Sequence, residues 1–153
     1  MRQKKKYIHY TGDIMDGEEL KKIMPHREPM LLVDEAEAVS NTEAIGKYKV
    51  KGDEWFLQGH FPGNPTVPGM ILCEMMAQTC CVLMSGEEIG TMPCFTKVDK
   101  AKFRRMVRPG DELHFECVIT KKKANFRFAS CTATVDGDLA VQADFSFALL
   151  NQE

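Results

Sequence analysis

The amino-acid sequence predicts an α+β domain in which an antiparallel β-sheet wraps around one long central α-helix. The helix is predicted over residues 70–84, because this segment is apolar on nearly every face, as helices buried on all sides are. The sheet is predicted because the last third of the chain alternates apolar and polar residues between short turns, as antiparallel hairpins do. One sheet can cover only one side of such a helix, so a second copy of the chain is expected to cover the other.

The chain of 153 residues has the length of one domain, and residues 1–16 are expected to be an N-terminal extension of it. A net charge of −2 argues against a general nucleic-acid-binding protein. No long apolar segment without charges predicts a membrane span, and the basic start MRQKKKYIHY lacks the apolar region of a secretory signal. A cytoplasmic protein is therefore expected.

The six cysteines are interpreted as free, buried thiols and not as disulfide partners or metal ligands. No CxxC pair is present, and the four histidines do not have the spacing of metal ligands. Cysteine behaves as a small apolar residue in reducing compartments. No metal site is expected.

The remaining elements follow from local signals. The segment MDGEELKKIM predicts a short helix capped by Asp16, with Glu19 completing a capping box and Pro25 ending it. Strands are predicted at residues 30–39, 43–50, 94–107 with an interruption near Lys100, 113–119, 125–135 and 139–149. Turns are predicted at residues 40–41, 109–111 and 136–138.

The segment HFPGNPTVPGM begins with His60 and leads directly into the predicted central helix. Its three prolines restrict the backbone, and its glycines allow tight turns and close approach of a ligand. A loop so constrained can hold His60 in place for general base catalysis. A histidine that is only hydrogen-bonded within a core loop is the alternative interpretation.

Glu74 and Gln78 form a polar stripe on the predicted helix, since residues four apart share a helix face. Burial raises the pKa of a carboxyl group, so Glu74 is a candidate proton donor, with Gln78 fixing its orientation. A structural carboxylate held by hydrogen bonds is the alternative. Free amide groups at the helix start, near Gly69, could hold a developing oxyanion. Together these groups indicate proton abstraction beside a carbonyl coupled to loss or gain of water, although a site that only binds ligand remains open.

Five blocks of the sequence are similar, in order, to the bacterial β-hydroxyacyl-acyl carrier protein dehydratases of fatty-acid synthesis, a family with the hot-dog fold. The resemblance covers roughly residues 18–148. The blocks are IMPHREPMLLVD, WFLQGHFPG, HFPGNPTVPGMILCEMMAQ, DKAKFRRMVRPGDEL and ATVDG.

The resemblance implies a role for each candidate site residue. His60 matches the catalytic base, Glu74 the catalytic acid and Gln78 the residue that supports the acid. Gly69 and Met70 match the helix-start positions whose N–H groups bind the thioester carbonyl. A glutamate at position 74 is typical of the broad-chain dehydratases, whereas the related dehydratase/isomerases have an aspartate there.

The resemblance also implies that Phe61 and Phe95 contact substrate and that no cofactor is needed. Cys94 stands where many members have a tyrosine that gates the acyl tunnel. The expected partners are an acyl carrier protein and further copies of this chain, as a homodimer with composite sites assembled into a hexamer. The alternatives are a bifunctional dehydratase/isomerase, a thioesterase, and a non-catalytic acyl-binding module.

Overall fold

In a computed structural model, which describes residues 12–153, the chain forms a seven-stranded antiparallel sheet around one central helix. The predicted α+β hot-dog fold is confirmed. The elements are β1 (Met15–Asp16), α1 (Gly17–Leu20), β2 (Glu35–Ala38), β3 (Glu43–Lys49), α2 (Gly69–Cys80), β4 (Met92–Phe103), β5 (Glu112–Lys123), β6 (Phe126–Val135) and β7 (Asp138–Leu150). The first eleven positions of the predicted N-terminal extension lie outside the described residues.

The strands follow the order β1-β2-β3-β5-β6-β7-β4, and every neighbouring pair is antiparallel. The hairpin between β6 and β7 turns at Asp136 and Gly137, which both have positive φ angles (51° and 81°) as a two-residue hairpin turn requires. β4 forms one long edge strand. Its pairing with β7 shifts register between Asp99 and Lys102, so the predicted interruption near Lys100 is a bulge.

Two predicted elements are shorter than expected. The capping box of Asp16 and Glu19 is present, but α1 is a single turn. β2 begins at Glu35 and not near residue 30, because the side chain of Gln78 hydrogen-bonds the carbonyl of Met30 and the amide of Leu32. These two backbone groups therefore hydrogen-bond a side chain, whereas in a β-strand they would hydrogen-bond the neighbouring strand.

The central helix α2 spans 12 residues and ends in a 3₁₀ turn at Cys81–Leu83, so it is shorter than predicted. It packs against β3, β5, β6 and β7. As expected for a single chain, the sheet covers only one side of this helix. Met70 is exposed, and Ile71, Glu74 and Ala77 are half-buried on the same face. We name this face the open stripe of α2.

Gly46 lets α2 approach the sheet closely. A Cβ atom at this position would lie 2.9 Å from both Cγ2 and Oγ1 of Thr79 in α2. Nonbonded carbon atoms prefer separations of about 3.5–4.0 Å, so only glycine fits between this strand and the helix.

All six cysteines are free; five are buried as expected, whereas Cys94 is exposed. The fold brings the sulfur atoms of Cys80, Cys117 and Cys131 within 4.8 Å of one another in the core. The three residues come from α2, β5 and β6, so their spacing in the sequence did not indicate this cluster. No helix within residues 12–153 has both the length and the apolar character needed to cross a membrane.

Candidate active site

The hydrogen bonds of His60 define its tautomer. Its Nδ1 atom lies 2.8 Å from the carbonyl oxygen of Thr66. A carbonyl can only accept, so Nδ1 carries the hydrogen and donates it, which leaves the lone pair on Nε2. His60 can therefore act as a base through Nε2.

The loop that carries His60 is held from both ends. The amide of Thr66 donates to the His60 carbonyl at 2.8 Å, and the amide of Val67 donates to Val107 at 2.8 Å. Gly59 and Gly63 have φ angles of 79° and 71°, in the left-handed region that favours glycine. The sequence therefore makes a closed loop that fixes the backbone of His60. Phe61, predicted to contact substrate, is exposed and stacks on the imidazole with ring centroids 4.1 Å apart.

His60 lines a cleft of about 520 Å³, here named the His60 cleft. Gly69, at the start of α2, lines the same cleft. Among residues 12–153, no hydrogen-bond acceptor engages the amide N–H groups of Gly69 and Met70. Both donors are thus available to an oxygen atom of a ligand, as N–H groups at a helix start are. A Cβ atom at Gly69 would lie 2.7 Å from the ring of Phe103, so the aromatic ring leaves no room for a larger residue.

Gln78 fixes Glu74, the other predicted site residue on α2. The Nε2 atom of Gln78 donates to Oε1 of Glu74 at 2.8 Å and to the carbonyl of Met30 at 2.7 Å. Its Oε1 atom accepts from the amide of Leu32 at 2.8 Å. Every polar group of the Gln78 amide is therefore engaged, and Gln78 has one orientation relative to Glu74.

His26 is a residue of the site that sequence reasoning missed. Its Nε2 atom lies 3.4 Å from Oε1 of Glu74, and its side chain is only 16% exposed. The two residues are far apart in the sequence, and His26 precedes β2 in a loop with no periodic pattern. The signal that could have found it is its place in IMPHREPMLLVD, one of the blocks of the family resemblance.

The pKa of Glu74 differs in direction from the sequence-based expectation. Burial raises it, but hydrogen bonds from His26 and Gln78 and the charge of His26 lower it more, so the pKa lies below its usual value. The expectation of a raised pKa is therefore wrong for the single chain. Donor groups and positive charge beside a carboxylate stabilise its charged form.

Glu74 lines a second, small cavity of about 20 Å³. Its other lining residues are His26, Ala77, Gln78, Cys81, Pro93, Phe95 and Phe147. None of them lines the His60 cleft. Within the described chain, His60 and Gly69 are thus brought together, as are Glu74, Gln78 and Phe95, but the two groups face different cavities.

Comparisons with known proteins agree with this architecture. Residues 24–144 match the model of the FabA-like domain. The chain belongs to the FabA-like family. It is 44% identical over 138 residues to the 3-hydroxyacyl-[acyl-carrier-protein] dehydratase FabZ of Oenococcus oeni, covering 88% of this chain and 99% of that protein. It is 39% identical to the FabZ dehydratase of Clostridium perfringens, over 89% of this chain and 99% of that protein.

A solved structure supports the same fold. The dehydratase heterocomplex ApeI:P of Xenorhabdus doucetiae superposes with a TM-score of 0.75 at 18% identity, covering 87% of this chain and 91% of that chain. The predicted membership of the dehydratase family is confirmed by the FabZ relatives, and the ApeI:P complex supports the fold alone.

Proposed function

We propose that this FabA-like protein removes water from (3R)-3-hydroxyacyl thioesters on acyl carrier protein to give trans-2-enoyl thioesters in fatty-acid synthesis. The relatives that match nearly the whole chain are named for this dehydration. The observation that supports it best is the tautomer of His60, because a free Nε2 in a large cleft is the base that the reaction needs.

The reaction divides its proton transfers between two side chains. The Nε2 atom of His60 takes the C2 proton, and the electron pair of that bond forms the C2–C3 double bond. The C3–O bond breaks as Glu74 gives a proton to the departing hydroxyl group, which leaves as water. The amides of Gly69 and Met70 hold the thioester oxygen, on which negative charge develops. The thioester itself acidifies C2, so this step uses no metal or organic cofactor.

Glu74 requires a second copy of the chain to complete its surroundings. It lies on the open stripe of α2, beside the exposed apolar side chains of Met70 and Phe95. A second α2 packed on this stripe would remove the carboxyl group from water, which raises its pKa and favours the protonated form that an acid needs. It would also bring the His60 cleft of one subunit to the Glu74 cavity of the other.

The proposed assembly is therefore a homodimer with two composite sites, built further into a hexamer as the family resemblance implies. The long edge strand β4 supports this proposal. It exposes Met92, Phe95 and Phe103, although long, apolar sheet edges are normally covered in stable proteins.

Turnover of defined 3-hydroxyacyl carrier-protein substrates, with identification of the product, tests the reaction. A trans-2-enoyl product is expected. A cis-3-decenoyl product from a ten-carbon substrate would make the protein a dehydratase/isomerase, and release of free acid would make it a thioesterase. Binding of substrate without turnover would make it a non-catalytic acyl-binding module.

Mixing two inactive variants, His60→Ala and Glu74→Gln, tests the composite site. A mixed dimer has one site with both defects and one intact site. Random exchange makes about half of the dimers mixed, and each has one of two sites intact, so up to roughly a quarter of the wild-type activity should return. If mass spectrometry confirms exchange and no activity returns, each site lies within one subunit.

A further inference from the structure

Two side-chain nitrogen atoms lie near the same oxygen of Glu74. Gln78 donates to Oε1 at 2.8 Å, and Nε2 of His26 lies 3.4 Å from that atom. Among residues 12–153, no hydrogen bond engages Oε2 of Glu74. The carboxyl group therefore has one anchored oxygen and one free oxygen.

The surroundings of His26 indicate which of its nitrogens carries hydrogen. Its Nδ1 atom is buried and has no hydrogen-bond partner within the described chain. A hydrogen on Nδ1 would be a buried donor without an acceptor, which is costly, whereas a hydrogen on Nε2 points to a carboxylate. Nε2 is therefore the nitrogen on which this environment favours a hydrogen.

The other ionisable groups near His26 leave this assignment unchanged. Cys81 lines the same cavity, and burial raises its pKa, so it remains a neutral thiol. The neighbouring guanidinium of Arg27 is occupied by the carbonyl oxygens of Met24, His26 and Lys21. Glu74 is thus the charged group that His26 faces.

We propose that His26 is a positioning residue of the dehydratase site: it donates Nε2–H to Oε1 of Glu74, so that Oε2 is the oxygen that transfers the proton. The inference rests on the proposed function, since it assigns a partner to the acid of that reaction. His26 and Gln78 together fix the plane of the carboxyl group from two elements. As Glu74 releases its proton to the departing hydroxyl group, the same two donors stabilise the carboxylate that forms.

Three substitutions at position 26 distinguish the effect of losing the N–H donor from the effect of losing side-chain volume. Glutamine can place an N–H group near the position of the histidine Nε2 atom, asparagine places its N–H group near that of Nδ1, and leucine has no donor. We expect His26→Leu and His26→Asn to lower kcat by about 10–100-fold with little change in KM, the range found when an orienting partner is lost. His26→Gln should retain most of the wild-type kcat.

The pKa of Glu74 gives a second readout that does not depend on turnover. It can be followed by ¹³C NMR of protein labelled at the glutamate Cδ atoms, with the Glu74 signal assigned by its absence in Glu74→Gln. Burial raises this pKa and the His26 and Gln78 donors lower it, so it should rise in His26→Leu and His26→Asn. In His26→Gln it should stay close to the wild-type value.

Two outcomes would overturn the inference. One is a folded His26→Leu or His26→Asn protein with wild-type kcat and an unchanged Glu74 pKa. The other is His26→Gln that loses as much activity as His26→Leu. Failure of the proposed function is distinguishable, because in that case the wild-type protein itself would form no trans-2-enoyl product, whatever the result at position 26.

Discussion

The contact between Gly46 and Thr79 predicts a strong effect of a single methyl group. In Gly46→Ala the new Cβ atom would lie 2.9 Å from two atoms of the Thr79 side chain and 3.1 Å from the carbonyl oxygen of Glu35. Restoring ordinary contacts of about 3.5–4.0 Å requires the helix and the strand to separate by roughly 0.5–1 Å. Overpacking of this kind destabilises proteins by about 1–3 kcal/mol.

A double-mutant cycle isolates the contact. Thr79→Ala alone should cost about 1 kcal/mol for the cavity that it leaves. In Gly46→Ala/Thr79→Ala the methyl group added at position 46 occupies the space that Cγ2 and Oγ1 of Thr79 leave, so the double variant should be more stable than the sum of the single costs by about 1–3 kcal/mol. Recovery should be incomplete, because the Glu35 carbonyl at 3.1 Å belongs to the backbone and remains.

Urea unfolding of the four proteins at one protein concentration measures these free energies, since oligomer stability depends on concentration. Turnover is a second measurement. Thr79 follows Gln78 in α2, so a displaced helix should also misplace Glu74. Additive costs of the two substitutions would refute the proposed steric contact between helix and sheet.

Three further predictions concern the site and its partner. Glu74→Gln should lower turnover by about 10²–10⁴-fold, the typical contribution of an acid–base group, and a variant that keeps more than a tenth of its activity would contradict the role of Glu74. The amide oxygen can still accept from Gln78, so the variant should remain folded near neutral pH. In the single chain the pKa of Glu74 is lowered from 4.5. At protein concentrations low enough to dissociate the subunits, wild type should therefore gain stability over Glu74→Gln above about pH 4.5 and lose this gain as the pH falls through the lower folded value. Urea unfolding at about pH 3–7 would measure the difference. Arg104 lines the His60 cleft, and Lys122 is exposed. Charge reversal at either residue should weaken turnover of carrier-protein substrates and leave turnover of small thioester analogues unchanged. Equal losses on both kinds of substrate would exclude docking through these residues.

The fold could be predicted from the sequence because its signals are local. The alternating residues of β5 and β7 and the turn at Asp136-Gly137 act over a few positions, and the structure retains them. The errors lie where a distant group intervenes. β2 starts late because Gln78, from α2, binds the backbone of residues 30–32.

The candidate site could be predicted only in part, for the same reason. His60 and Gly69 are close in the sequence, so the loop and the helix start that follows it place both in one cleft. His26 lies near Glu74 only because the loop before β2 folds back over α2. The pattern of apolar and polar residues in that loop does not indicate this contact. The pKa of Glu74 depends on that contact, and its direction was therefore wrong when argued from burial alone.

The incomplete burial of α2 explains why Glu74 and His60 lie in different cavities. A helix with so few charged residues is stable only where apolar neighbours surround it, yet the sheet covers Leu72, Met75 and Met76 and leaves the open stripe uncovered. Glu74 lies on that stripe, so whatever completes the hydrophobic burial also completes the surroundings of the carboxyl group. If that cover is a second copy of α2, as we propose, association and catalysis depend on the same surface. Loss of the dimer would then remove activity even though every site residue of the single chain stays in place.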